Sequence, residues 1–260
     1  MSRPIREERP PTRTNPYGIV AGLVTPSPAS DRIAVIVPVA AGEAPPPEIF
    51  FERVMRAAPP VSLFAAADAR IAEETRIAFE RAGATVFTLE ESPRGARLAR
   101  AAQSSSSSEE ISLFLFLHAD TLLPFGWESA IRRAIASGAV GGAFRLSYFG
   151  GGARMRWVAF WANARTEFTR VPYGDQAPFV RRDVYERLGG HPPWPLLDDW
   201  DFARRLRKQG RIEILRDAVE TSPRRYLERG VVKTVLGNWR ILWKARRGEP
   251  PEQLSERYRR

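Results

Sequence analysis

The chain has 260 residues, 43% of them hydrophobic and 27% charged, a balance that supports a sizeable core and excludes wholesale disorder. It contains no cysteine, which excludes disulfides and thiolate metal sites; any ion must be held by oxygen ligands or by the two histidines, a donor set suited to Mg²⁺ or Mn²⁺ and not to zinc chemistry. The net charge of +10 would suit nucleic acid, an anionic membrane or a phosphorylated substrate, but eleven Lys/Arg against four Glu lie in residues 224–260 and no nucleic-acid-binding motif accompanies them, so nucleic acid is not an expected partner.

In chain order, residues 1–30 are rich in Pro, Arg and Thr without periodicity and are expected to form a disordered arm; they lack the apolar stretch of a secretory signal. Ile33-Ala-Val-Ile-Val-Pro38 is a short β-branched run stopped by proline, the pattern of a parallel strand buried on both faces. Ile49, Phe50, Val54 and Met55 recur at helical spacing and predict a helix over residues 45–58. A second strand is predicted at 61–65, a helix at 72–82 with Gly83 as its C-terminal stop, and a third strand at 84–88. An Arg/Ala helix at 93–103 runs into five serines, 104–108, read as a surface loop. Next come an apolar strand at 111–117, a helix at 124–136 with Trp127, Ile131 and Ile135 on one face, and a strand at 140–148. The segment 148–152 is glycine-rich, either a plain connector or a mobile loop on the acceptor side. Alternating strands and helices predict an α/β fold with a doubly wound, mostly parallel sheet whose strand ends share one ligand-binding rim. No apolar run reaches membrane-spanning length, so the chain is expected in the cytoplasm, free or peripheral at the inner face of the membrane.

Residues able to do chemistry fall in three places. His118-Ala-Asp120 follows five consecutive apolar residues, Leu113 to Leu117, so a carboxylate emerges straight from the core; an aspartate there serves either a turn or a site. Tyr173-Gly-Asp175-Gln176 is a polar cluster ahead of an apolar run. Asp198-Asp199-Trp200-Asp201 puts three acids at the start of a helical pattern, where they suit either helix capping or general-base work. His118 suits a ligand role and a structural hydrogen bond equally, and the same choice stands for His191. Trp194 and Trp200 flank the acids and suit either a sugar or lipid face or core packing.

Taken together, Leu-Phe-Leu-His-Ala-Asp120-Thr, Pro-Tyr-Gly-Asp175-Gln176, Phe-Val-Arg-Arg, Leu-Gly-Gly and Asp198-Asp199 followed by Arg-Arg-Leu-Arg-x-x-Gly resemble the family 2 glycosyltransferases, in particular a bacterial subgroup with His-Ala-Asp in place of Asp-x-Asp. The resemblance implies a GT-A-type nucleotide-sugar domain, here residues 31–222, with inverting chemistry, followed by a C-terminal helical extension over residues 223–260. By the same resemblance Asp120 helps hold Mg²⁺ or Mn²⁺ on the donor diphosphate, and Asp199 is the base that deprotonates the acceptor hydroxyl. Asp198 stands in for the family's glutamate, and Asp175 and Gln176 belong to the donor or acceptor pocket.

The first half departs from that pattern. Val39-Ala-Ala-Gly-Glu43 stands where relatives carry an acidic segment, and Phe64-Ala-Ala-Ala-Asp68 where they carry Val-Asp-Gly-Gly-Ser, which puts Asp68 farther along the loop than the base-reading aspartate. Pro93-Arg94-Gly-Ala-Arg97 keeps basic and small residues without the family's asparagine, and Arg94 and Arg97 are placed to grip phosphate. The alternative to an active transferase is a glycosyltransferase-like binding or assembly protein with a degenerate nucleotide pocket. In the tail, Leu227, Val231, Val235, Trp239 and Leu242 recur at helical spacing among Arg229, Lys233, Arg240 and Lys244. That pattern fits a basic amphipathic helix lying either on an anionic membrane near a lipid-linked acceptor or against the catalytic domain.

Overall fold

The computed structural model describes residues 32–57, 61–90, 92–106 and 110–259. The arm at residues 1–30 lies outside them, as do Ser107 and Ser108 of the serine run. The apolar run after Arg32 forms β1 (Arg32–Val39), and because every side chain from Ile33 to Val37 is apolar, both faces of the strand must be covered. Its neighbours are β2 (Ser62–Asp68) on one side and β4 (Ile111–Phe116) on the other, both parallel; β3 (Thr85–Leu89) extends the sheet beyond β2. Past β4 the order continues β7 (Phe179–Arg181), β6 (Gly141–Tyr148), β8 (Ile212–Thr221) and β5 (Thr121–Leu122). Within this eight-stranded sheet β7 and β5 run against the rest.

Side chains alternate across each strand. Ile33, Val35 and Val37 of β1 and Leu113 and Leu115 of β4 face one core, with Phe50 and Val54 of α1 (Glu48–Met55), Phe79 of α2 (Glu73–Arg81) and Trp127 and Ile131 of α4 (Trp127–Ala136). Ala34, Ile36, Phe114 and Phe116 face the other, with Leu98 of α3 (Arg94–Ser105), Tyr185 of α6 (Arg182–Arg187) and Phe202 and Leu206 of α7 (Asp198–Leu206). Helices thus cover both faces, as the alternating pattern predicts. Phe50, Phe79, Trp127 and Phe202 are essentially solvent-free, and truncating any one to alanine is expected to cost about 3–5 kcal/mol.

Several elements differ from the sequence expectation. β2 runs on to Asp68, so this aspartate ends a strand on the rim and is not displaced along a loop; the alanines 65–67 carry no turn signal and continue the strand, fully buried. α3 likewise continues through Ser105, whose hydroxyl donates back to the Ala102 carbonyl, so the serine run begins inside a helix. The long helix α5 (Gly152–Thr169) carries apolar side chains on several faces and so lacks a single-sided stripe. It follows three glycines, 150–152, all at positive φ, the conformation that lets the chain reverse there after β6. The tail is three helices, α8 (Arg224–Arg229), α9 (Val231–Arg246) and α10 (Pro251–Arg259), because Gly230 and the Gly248–Pro250 stretch interrupt it. Among the described residues no helix is long and apolar enough to cross a membrane.

Candidate active site

The carboxyl ends of β1, β2 and β4 and the start of α7 meet on one rim. Asp198 and Asp199 open α7, and the close approach of α3 to this corner depends on Gly95: a Cβ there would lie 2.0 Å from the Pro192 carbonyl oxygen and 2.9 Å from the Asp198 Cβ. That approach carries Arg94 into the acids. Its Nη2 donates to Asp198 Oδ1 at 2.8 Å and its Nε to the same oxygen at 3.1 Å, while Nη2 lies 3.3 Å from Asp199 Oδ2. Asp199 also accepts from the Gly174 amide at 2.7 Å and the Trp200 amide at 2.8 Å. Burial opposes ionisation of Asp199, but the Arg94 guanidinium and the two amides outweigh it and hold the carboxyl below the usual range. For Asp198, wholly buried, burial wins and the carboxyl is raised against the pull of Arg94.

His118 faces the same guanidinium, with Nε2 3.0 Å from Arg94 Nη1. Because a guanidinium can only donate, Nε2 is the acceptor and the proton sits on Nδ1. Burial and the nearby Arg94 push the imidazole down to about 4, so it is neutral at pH 7. Gly174 closes the corner: a Cβ would lie 2.9 Å from both Asp199 Oδ2 and His118 Nε2. Pro38, Arg94, His118, Gly174 and Asp199 together line a small pocket. A wider surface groove elsewhere, bordered by Arg133, Arg145, Arg211 and Arg216, includes none of these residues.

Gly174 begins a 3₁₀ turn, Gly174–Gln176. Gln176 is fully buried, its Oε1 accepting from Thr166 at 2.7 Å and its amide donating to the Phe144 carbonyl at 3.3 Å, so it ties the turn to α5 and β6. Asp175 is raised to about 6, first by burial and then by Asp199 and Asp120, against the pull of Arg165. Arg165 stacks 3.4 Å over the Tyr173 ring. Tyr148, at the end of β6, packs edge-on against Tyr226 of α8, and both lie within electrostatic reach of Asp175, as does Arg225.

Toward β1 and β2 the arrangement is looser. Asp120 is exposed; its carboxylate accepts from the Thr121 hydroxyl at 3.3 Å and the Thr221 hydroxyl at 3.5 Å, and β5 holds it against the end of β8. Glu43 accepts from the Ala40 amide at 2.7 Å and is raised by burial and, further, by Asp120. Asp68 pairs with Arg70 at 3.0 Å and lies 3.6 Å from Arg97, which donates to the Ser92 carbonyl at 2.7 Å. Among the described residues no three His, Asp or Glu side chains are grouped to hold a metal ion. A hard ion at this rim would need a ligand's phosphate oxygens for most of its coordination, with the exposed Asp120 carboxylate as a protein donor.

Comparison with family models and with curated proteins finds no match. Among solved structures the chain is similar to the mannosyltransferase PcManGT of Pyrobaculum calidifontis, in complex with GDP-Man and Mn²⁺, at TM-score 0.57 and 22% identity, covering 91% of this chain and 71% of that one. It is also similar to residues 1–349 of S. aureus TarS in complex with UDP, at TM-score 0.55 and 13% identity, covering 76% of this chain and 62% of that one. The fold is one that these glycosyltransferase structures share with this chain. In a longer S. aureus TarS structure the match, at TM-score 0.53 and 15% identity, covers 74% of this chain and 36% of that one, so this chain spans only part of its length. Shared fold does not transfer chemistry, so function rests on the side chains.

The site therefore gathers Asp120, His118, Asp175, Asp198, Asp199 and Arg94, with Arg97, Glu43 and Asp68 on the adjoining rim. Arg94, expected at phosphate, instead spans the two acids of α7. Trp200 is 6% exposed, packed against Val171 and Ala203 with Arg204 over its ring, so its place is in the core beneath the tail. His191 is also structural: it stacks on Phe202 and shares a hydrogen bond with the Tyr185 hydroxyl at 3.0 Å. Tyr148 was expected only as the end of a strand and the start of the glycine-rich segment, and Arg165, Arg225 and Tyr226 were missed, each being a cation or aromatic outside any recognised motif.

Proposed function

We propose that the protein is an inverting, metal-assisted glycosyltransferase that moves a sugar from a nucleotide-sugar donor to an acceptor hydroxyl. The observation that carries this reading is Asp199: a carboxylate held ionised by Arg94 and two backbone amides, with the exposed Asp120 acting on the same His118 and Asp175 as Asp199 does. Asp199 takes the proton of the acceptor hydroxyl as its oxygen attacks the anomeric carbon; the bond to the diphosphate breaks on the opposite side, which inverts the configuration. Asp120 would hold Mg²⁺ or Mn²⁺, which when bound supplies positive charge against the departing diphosphate. Arg94 orients Asp199, and neutral His118 fixes Arg94. Asp175 and Gln176 shape the pocket wall, and Glu43, Asp68 and Arg97 border the nucleotide. The basic tail suits an anionic membrane surface, so the acceptor class favoured is a lipid-linked hydroxyl at the inner face of the membrane.

One observation favours the second reading, a non-catalytic binding protein: Arg94 occupies both acids at once. Incubation with UDP- and GDP-sugars plus Mn²⁺ separates the two. Release of nucleoside diphosphate by the wild type, lost in Asp199→Asn, supports the enzyme; no release from any donor supports the binding protein.

A further inference from the structure

Two helices leave the site's corner with apolar faces that the fold does not cover. On α5, Trp157, Phe160 and Trp161 are 58%, 62% and 55% exposed, and Phe168 continues that side at 91%. On α9, Val232, Leu236, Trp239 and Trp243 recur at helical spacing and are 71%, 58%, 74% and 56% exposed. The opposite side of α9 does pack on the domain: Leu242 and Ala245 lie against Trp200 and Ala203, and Thr234 is buried. The tail therefore seats on the domain and still presents a second apolar face.

The two faces start from one place. Tyr148 and Tyr226 touch at 5.5 Å between ring centroids beside Asp175; α5 begins shortly after the first and α9 shortly after the second. Exposed Arg154 and Arg156 border the α5 face, and exposed Lys233, Arg240, Arg246 and Arg247 border that of α9, with Arg247 stacked 4.1 Å over Trp243. Tryptophans flanked by cations are the composition of an interfacial surface, where indole sits at headgroup depth and Lys/Arg meet anionic lipid. A second copy is the poorer occupant, because pairing these faces would bring two strongly basic tails together.

We propose that the exposed faces of α5 and α9 form one docking surface for an anionic lipid bilayer, with α5 as a contact element in its own right and the Tyr148–Tyr226 corner held beside the lipid headgroups. This surface does not depend on the transferase reading, and its test reads binding without turnover. The full chain is sedimented with vesicles containing phosphatidylglycerol and with vesicles of phosphatidylcholine alone, alongside Trp157→Ser with Trp161→Ser, and Trp239→Ser with Trp243→Ser. The wild type is expected to bind the anionic vesicles with a blue shift of tryptophan emission, and each double variant to bind about tenfold more weakly while keeping wild-type Tm. No binding to phosphatidylglycerol vesicles at low salt overturns the proposal. So does undiminished binding of the α5 variant, or a dimer in light scattering that both double variants dissolve.

Discussion

The two halves of the rim are built to different standards. On the side of α7, Asp199, His118 and Arg94 are partly buried around the wholly buried Asp198, joined by hydrogen bonds, with a glycine on either side where a methyl group would not fit. On the side of β1 and β2, Asp120 is exposed, Glu43 is held by the Ala40 amide of its own turn, and Asp68, at the end of β2, by Arg70 and by Arg97 of α3. A group that must act on one bond needs fixed geometry, whereas groups that share a ligand's phosphates or base can wait for it. The sequence departs from the pattern of the family it resembles on this looser side.

Breaking the tight half should give the largest effects. Asp199→Asn is expected to lower kcat about 10³-fold with little change in Tm, measured by nucleoside diphosphate release. Arg94→Ala strands the wholly buried Asp198 and should cost about 3–5 kcal/mol in urea unfolding, whereas Arg97→Ala on the looser side should cost about 1 kcal/mol. An equal loss for the two arginines would erase the contrast. Gly95→Ala forces α3 away from Pro192 and should cost about 2–3 kcal/mol, with activity falling along with stability.

The smallest expected effect is pH-dependent. Asp175 is raised from 3.8 to about 6 in the folded state, so well below 3.8 it is neutral folded and unfolded alike, and it disfavours the fold increasingly as pH rises from about 4 to 6, levelling off above that. Asp175→Asn should therefore match the wild type near pH 2 to 3 and exceed it by about 1–2 kcal/mol at pH 7 to 8 in paired melts. A constant difference across that range would assign the shift to some other group.

The strands β1, β2, β4 and β6 were legible because an apolar run with β-branched or aromatic residues has one comfortable home, and Asp120 was legible because it ends such a run. β7 and β8 were not: three residues of β7 carry no period, and β8 mixes Glu, Arg and Asp with its apolar residues because it lies near the sheet edge. α5 was hidden by apolar residues on several faces, and Arg165 with it. The pairing of Arg94 with the α7 acids spans 104 residues in sequence and depends on Gly95, so only the folded chain shows it.

The central claim, that Asp120 and its neighbours hold a nucleoside diphosphate together with a divalent ion, is tested most directly by melting the protein with UDP, GDP or dTDP, each with and without Mn²⁺. The account predicts a rise in Tm for at least one nucleotide that needs Mn²⁺ and disappears in Asp120→Ala. No rise with any of the three, or the same rise in Asp120→Ala, would contradict it.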